Sequence, residues 1–168
     1  TVLRHMLAIV DARDEERTEV YVALELGADH PAYEAMPSVL SPTSKQYATY
    51  VRVPDLARFL MQVSPVLEQR LAESVARGFN GELPINFYRN GLKLSFEDGR
   101  LVSVAQERME YTAAASFPDL TFVQLLFGHR SLAELDNWYP DCRIRTNEAR
   151  VLLDVLFPKQ LSFLWPVW

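Results

Sequence analysis

The chain has 168 residues, 49% of them hydrophobic, and a formal charge of -5. That length suits one large domain, or one small domain with a piece of another, and the apolar fraction supports a substantial core and argues against global disorder. An acidic balance without a Lys/Arg cluster argues against a nucleic-acid partner, because neutralising phosphates requires a basic face. Arg, Asp or Pro breaks the most apolar segments within about ten residues, short of the ~18 that a membrane span needs. Cys142 is the only cysteine, which excludes an intramolecular disulfide and a thiolate metal cluster and fits a reducing, cytoplasmic compartment. The sequence begins at Thr1 inside a segment of helical spacing, with neither an initiator Met nor a signal peptide. It is therefore expected to be a fragment of a longer polypeptide.

"TVLRHMLAIVDARDEER" places Val2, Leu3, Met6, Leu7 and Val10 at helical spacing. "TEVYVALEL" alternates through Val20, Val22, Leu24 and Leu26, the pattern of a strand with one buried face, and Gly27 ends it. "DHPAYEAMPSVL" reads as a short helix with Asp29 as its cap and Pro31 in its first turn. "SPTSK" is a loop, and "QYATYVRV" is a second strand stopped by Pro54. Residues 1–53 thus read helix–strand–helix–strand, the tail of an α/β domain.

After Pro54 the pattern changes. "DLARFLMQVSPVLEQRLAESVARG" is a long amphipathic stretch. Pro65 lacks an amide hydrogen, so it should kink this helix or start a second one capped by Ser64. From Glu82 to Gln106 three alternating segments are separated by Asn90-Gly91 and Asp98-Gly99. Asx-Gly pairs between strands predict type I′ hairpin turns, so an antiparallel meander is expected. "MEYTAAASF" is expected to add a fourth strand, and helices are expected at 118–127, 131–138 and 147–157. The close, "FPKQLSFLWPVW", reads as an ordered tail packed on the surface. The second unit, 54–168, is therefore expected to be α+β, with helices over one face of an antiparallel sheet.

No catalytic constellation is visible. In "LTFVQLLFGHRSLAEL" Gly128 is expected to close one helix as a left-handed cap. Ser131 with Glu134 forms a capping box for the next helix, which leaves His129 and Arg130 as a two-residue corner. A catalytic histidine needs an orienting partner, and none adjoins His129 in sequence. A metal site needs a second His or carboxylate at i+3 or i+4 on the same face together with further ligands elsewhere, and no such set occurs around His5 or His30, which argues against a metal site. Cys142 lies near Arg143 and Arg145, which would lower its pKa; without a base beside it, a partly buried structural side chain is the favoured reading. Glu97 and Asp98 are adjacent at a turn and so point apart. No phosphate-binding loop and no nucleophile elbow occurs.

Three segments carry a family resemblance: "GELPINFYRNGLKLSFEDGRLVSV", "ASFPDLTFVQLLFGHRSLAEL" and "EARVLLDVLFPKQLSFLWPVW". Together they resemble the C-terminal, sterol-carrier-like domain of multidomain bacterial GNAT acetyltransferases similar to the enhanced-intracellular-survival acetyltransferases. The resemblance covers residues 54–168, and residues 1–53 resemble the closing elements of a GNAT-like domain, with "YVRVPDLARFL" as the hinge. It implies an accessory region that helps to form the amine-acceptor site, or an assembly such as a homo-oligomer, of an acetyl-CoA-dependent N-acetyltransferase. The pyrophosphate loop that binds acetyl-CoA in such enzymes does not occur in this chain, so no cofactor is expected on it and the fragment alone is expected to be inactive. In related members the terminal carboxylate reaches the active site, which would assign that catalytic role to Trp168. The same fold would permit a lipid- or sterol-binding module, and the tail aromatics an oligomerisation domain; fold alone does not choose between them. Large side chains such as Phe122, Leu126, Phe127 and Phe157 would fill the tunnel that a lipid carrier needs.

Overall fold

In a computed structural model of the chain, residues 31–35, 50–110, 112–118 and 120–161 are described. The chain divides into two compact units, Thr1–Gln46 and Tyr47–Trp168. Within the first, helix α1 (Pro31–Ala35) begins at the proline expected in its first turn. The other elements expected before residue 50 lie outside the described residues. Residues 50–53 were expected to finish a strand, and their backbone is irregular instead.

The second unit opens with α2 (Leu56–Gln62), capped by Asp55, whose Oδ1 accepts the Arg58 amide at 2.9 Å. The helix stops where Pro65 has no amide to offer the Met61 carbonyl. A second helix, α3 (Ser64–Ala72), follows at once. Its cap position is Val63, without a side-chain hydrogen bond, so the expected Ser64 cap is not formed. The expected helix to residue 78 ends six residues early. The Ser74 hydroxyl donates to the Leu71 carbonyl at 2.9 Å and accepts the Ala76 amide at 3.0 Å. These local bonds compete with the helical ladder.

The meander is β1 (Gly81–Asn86), β2 (Gly91–Glu97) and β3 (Arg100–Glu107), paired antiparallel. Asp98 and Gly99 have φ of 48° and 74°, as the expected tight turn requires. The other connection differs from expectation. Asn90 and Gly91 do not form a type I′ turn; the residue with positive φ is Tyr88, at 68°. The Tyr88 amide is turned toward Asn86 Oδ1 at 2.7 Å, and the Arg89 amide bonds back to the Phe87 carbonyl at 2.8 Å. Gly91 is the first residue of β2, and it is a glycine because of crowding. A Cβ there would meet the Met109 side chain and would stand 2.6 Å from the Ile85 carbonyl oxygen.

The sheet is mixed, not purely antiparallel. Of the fourth strand expected from residue 109, only β4 (Ala115–Ser116) forms, and it runs parallel to β1. The Phe117 amide extends this pairing to the Asn86 carbonyl at 2.9 Å. A fifth strand, β5 (Arg143–Ile144), pairs antiparallel with β4, so the strand order is β3-β2-β1-β4-β5. The remaining helices are α4 (Thr121–Leu126), α5 (Leu132–Trp138) and α6 (Asn147–Leu156). Helix α4 starts three residues later than expected because Leu120 takes a left-handed φ of 63°. The Ser131–Glu134 capping box forms as expected, and Thr146 Oγ1 caps α6 by accepting the Ala149 amide at 3.1 Å.

The unit is thus α+β. Along β2, Leu92, Leu94 and Phe96 are buried while Lys93 and Ser95 are half-buried, the alternation of a sheet with one covered face. Buried residues from each of α2 to α6 join that face in a single core cluster. Phe117, Phe122 and Phe157 are its largest fully buried side chains.

The crowding at Gly91 gives a test. Gly91→Ala should lower the unfolding free energy by about 1–3 kcal/mol, the usual range for over-packing, measured by urea denaturation. A loss below about 0.5 kcal/mol, the usual scale of a surface substitution, would show that Met109 and the β1 backbone move aside freely.

Candidate functional site

A cleft of ≈ 190 Å³ opens where segment 52–56, the β1–β2 connection and the start of α4 meet. Its floor includes Leu92 and Phe122, both buried, and Phe87 and Leu120 form walls. Local structure sets these walls. Phe87 precedes the positive-φ Tyr88, whose hydroxyl donates to the Asp141 carbonyl at 2.5 Å and ties the connection to the loop before β5. Leu120 is placed by its own left-handed backbone at the head of α4. The polar side chains are those of Arg52, Asn90 and Gln106. Among the described lining residues there is one cation, two amides and no carboxylate, histidine or nucleophile. Such a set offers apolar walls, one positive charge and hydrogen-bonding amides. Sequence reasoning missed this site. Arg52 stood in the hinge and Tyr88 inside a strand, and no local pattern joins residues 52, 87 and 120.

A second groove of ≈ 540 Å³ lies more open between α3 and the β2–β3 turn. Glu68, Asp98, Arg77 and Arg100 line it, so both charge signs are present. Glu68 Oε1 is already engaged, accepting the Leu101 amide at 3.2 Å.

The corner after α4 is structural in its details. Gly128 has φ 67°, the left-handed cap expected from the sequence. It also sits under the chain that follows α6: its carbonyl accepts the Gln160 amide at 3.0 Å, and a Cβ would stand 2.9 Å from that nitrogen. His129 is exposed, and among the described residues no hydrogen bond orients it. Glu134 is the hub of the corner. Its Oε2 accepts the Ser131 amide at 2.8 Å, and its Oε1 accepts Lys159 Nζ at 2.7 Å and Arg130 Nη1 at 3.4 Å. The Lys159 hydrogen bond, then the Ser131 amide, hold its carboxyl at about 2, well below the usual carboxylate range. The Arg130 guanidinium also lies over the Trp138 ring, 4.1 Å from its centre, a cation–π contact.

Cys142 is buried. Burial first, then the Asp136 and Asp141 carboxylates, push its thiol up to about 11. The expectation that Arg143 and Arg145 would lower it is corrected: burial and acidic neighbours raise it instead. Glu97 and Asp98 do not act as a pair. Asp98 lies in the turn with its amide donating to Asn80 Oδ1 at 2.8 Å, and Glu97 is exposed at the end of β2. His5, His30 and Trp168 lie outside the described residues. Among the described residues no group of His, Cys, Asp and Glu is arranged to hold a metal ion, and no helix is long and apolar enough to cross a membrane. Comparison with protein-family models, with curated proteins and with solved structures found no match to this chain.

Two predictions follow from the corner. His129→Ala should change stability by no more than about 0.5 kcal/mol, as exposed substitutions do. Gly128→Val should cost several times more, because it adds a β-branched side chain at positive φ against Gln160. Equal effects in chemical denaturation would refute the cap reading. Glu134 gives a pH test. Its pKa is depressed on folding, so its stabilisation is complete above about pH 4.5 and is lost as pH falls toward about 2. The stability gap between the native chain and Glu134→Gln should therefore shrink over that interval. A gap that stays constant with pH would show that the Lys159 and Ser131 contacts do not hold in solution.

Proposed function

We propose that this chain is the accessory C-terminal region of a multidomain GNAT N-acetyltransferase, where it helps to form the amine-acceptor site. The reading rests on the resemblance across residues 54–168, and the α+β architecture of the second unit is compatible with it. The single structural observation that favours it over a lipid carrier is an aromatic cluster among the fully buried side chains. The Phe122 ring centre lies 5.5 Å from that of Phe117 and 5.4 Å from that of Phe157. Large buried rings in contact disfavour a continuous tunnel for an acyl chain or sterol.

In this reading acetyl-CoA belongs to the catalytic domain of the longer polypeptide, and this chain supplies walls for the acceptor. The groups of the ≈ 190 Å³ cleft suit that role, since they offer shape and hydrogen bonds without acid–base chemistry. In this reading the terminal carboxylate of Trp168 would be a catalytic group that the region contributes.

The test uses three measurements. Thiol release from acetyl-CoA with a panel of primary amines should be seen for the longer polypeptide and not for the 168-residue chain. The chain should show no saturable binding of a fluorescent sterol. Turnover by the chain alone would overturn the accessory role, and saturable sterol binding would install the lipid-carrier reading in its place. Deleting Trp168 from the longer polypeptide should lower turnover with little change in melting temperature. A joint fall of both would assign Trp168 to packing and remove the carboxylate from the mechanism.

A further inference from the structure

The geometry points to the cleft beside Arg52 as a binding site for a small carboxylate carried on a flat apolar body, such as an aromatic acid. Size comes first. At ≈ 190 Å³ the cleft is smaller than the roughly 300–1,000 Å³ of pockets for drug-sized ligands, so it takes a fragment of one ring or a short chain. The buried floor of Leu92 and Phe122 and the walls of Phe87 and Leu120 favour an apolar body.

Charge sets the head group. Arg52 is the only charged residue among the described lining residues, and no described carboxylate forms an ion pair with it. A guanidinium presents paired donors that match the two oxygens of a carboxylate. The Asn90 and Gln106 amides add neutral donors at the same rim.

Strain marks the same place. Three described residues other than glycine have positive φ: Tyr88, Asp98 and Leu120. Asp98 is explained by its tight turn. The other two are bulky, and such residues rarely adopt this backbone. Leu120 lines the cleft, and Tyr88 follows Phe87, which also lines it. Backbone strain held by surrounding contacts concentrates at binding sites, where it fixes a wall that would otherwise relax. Here the Tyr88 hydroxyl bond to the Asp141 carbonyl and the burial of Phe122 supply those contacts. This inference does not depend on the acetyltransferase reading.

The experiment is a backbone-amide NMR titration of the 168-residue chain at pH 7 and constant ionic strength. The probes are sodium benzoate, benzyl alcohol, benzylamine and acetate. Benzoate should shift amides within residues 87–92 and 120–123 and bind at least ten-fold more tightly than benzyl alcohol. Benzylamine and acetate should bind more weakly than benzoate, the first lacking the anion and the second the ring. Arg52→Gln should erase the advantage of benzoate over the alcohol, and Arg52→Lys should keep part of it. Equal affinity for benzoate and benzyl alcohol, shifts scattered away from the cleft, or full benzoate affinity in Arg52→Gln would each overturn the site. Should Arg52→Gln fail to fold, the benzoate-to-alcohol ratio of the unaltered chain decides alone. Failure here would leave the acetyl-CoA and sterol measurements untouched.

Discussion

Phe122, the second residue of α4, has its ring centre 5.4 Å from Phe87, 5.5 Å from Phe117 and 5.4 Å from Phe157. These three rings belong to the β1–β2 connection, to the chain just after β4, and to the cap of α6. One side chain therefore joins the local meander to the distant helices. Full burial of such a ring is worth roughly 1.5–3 kcal/mol, and well-placed aromatic pairs add about 0.5–1.5 kcal/mol each. That sum, about 3–7.5 kcal/mol for the ring and its three pairs, meets or exceeds the cost of order 1–3 kcal/mol for a bulky residue in the left-handed region. The backbone of Leu120 is left-handed two residues before Phe122, and packing of the ring offsets the strain of that entry.

The same logic runs through the far end of the core. Helix α6 closes the cluster with Leu152, Leu153 and Leu156, all buried. Arg70 on α3 donates to the Leu156 carbonyl at 2.5 Å, which satisfies one of the open acceptors at the end of α6. The chain beyond α6 then crosses the α4–α5 corner, where Gly128 admits it closely and Glu134 holds Lys159. A capping box that would serve any helix start here also fixes the exit of residues 158–160. One carboxylate thus joins a local cap to a long-range contact. The depression of its pKa is the electrostatic sign of both.

What the sequence disclosed depended on how local each signal was. Asp98-Gly99, the Ser131 capping box and Gly128 are decided within four or five residues, and their geometry is the expected one. Asn90-Gly91 carries the same Asx-Gly pattern as Asp98-Gly99 yet works differently. Met109 crowds Gly91 from outside the hairpin, and the Asn86 side chain moves the turn forward to Tyr88. Strands β4 and β5 have two residues each, and their partners lie far along the chain. No alternation exists in two residues, so periodicity could not bound β4 within the strand expected at 109–117, reveal β5, or show the parallel pairing that makes the sheet mixed. The cleft was hidden for the same reason. Arg52, Phe87 and Leu120 come together only through the sheet and the aromatic cluster.

The charge of the cleft bears on how an acceptor would be held. A lone guanidinium repels a protonated amine; two unit charges about 4 Å apart interact by about 1 kcal/mol in water and by more where solvent is excluded. If this region walls an acceptor site, the ammonium of the acceptor must point away from Arg52, and the cleft would grip the opposite end of the molecule. An acceptor with an anionic or amide group distal to its amine satisfies both demands. A polycation does not, and the charge pattern of the described lining residues therefore narrows the acceptor class within the acetyltransferase reading.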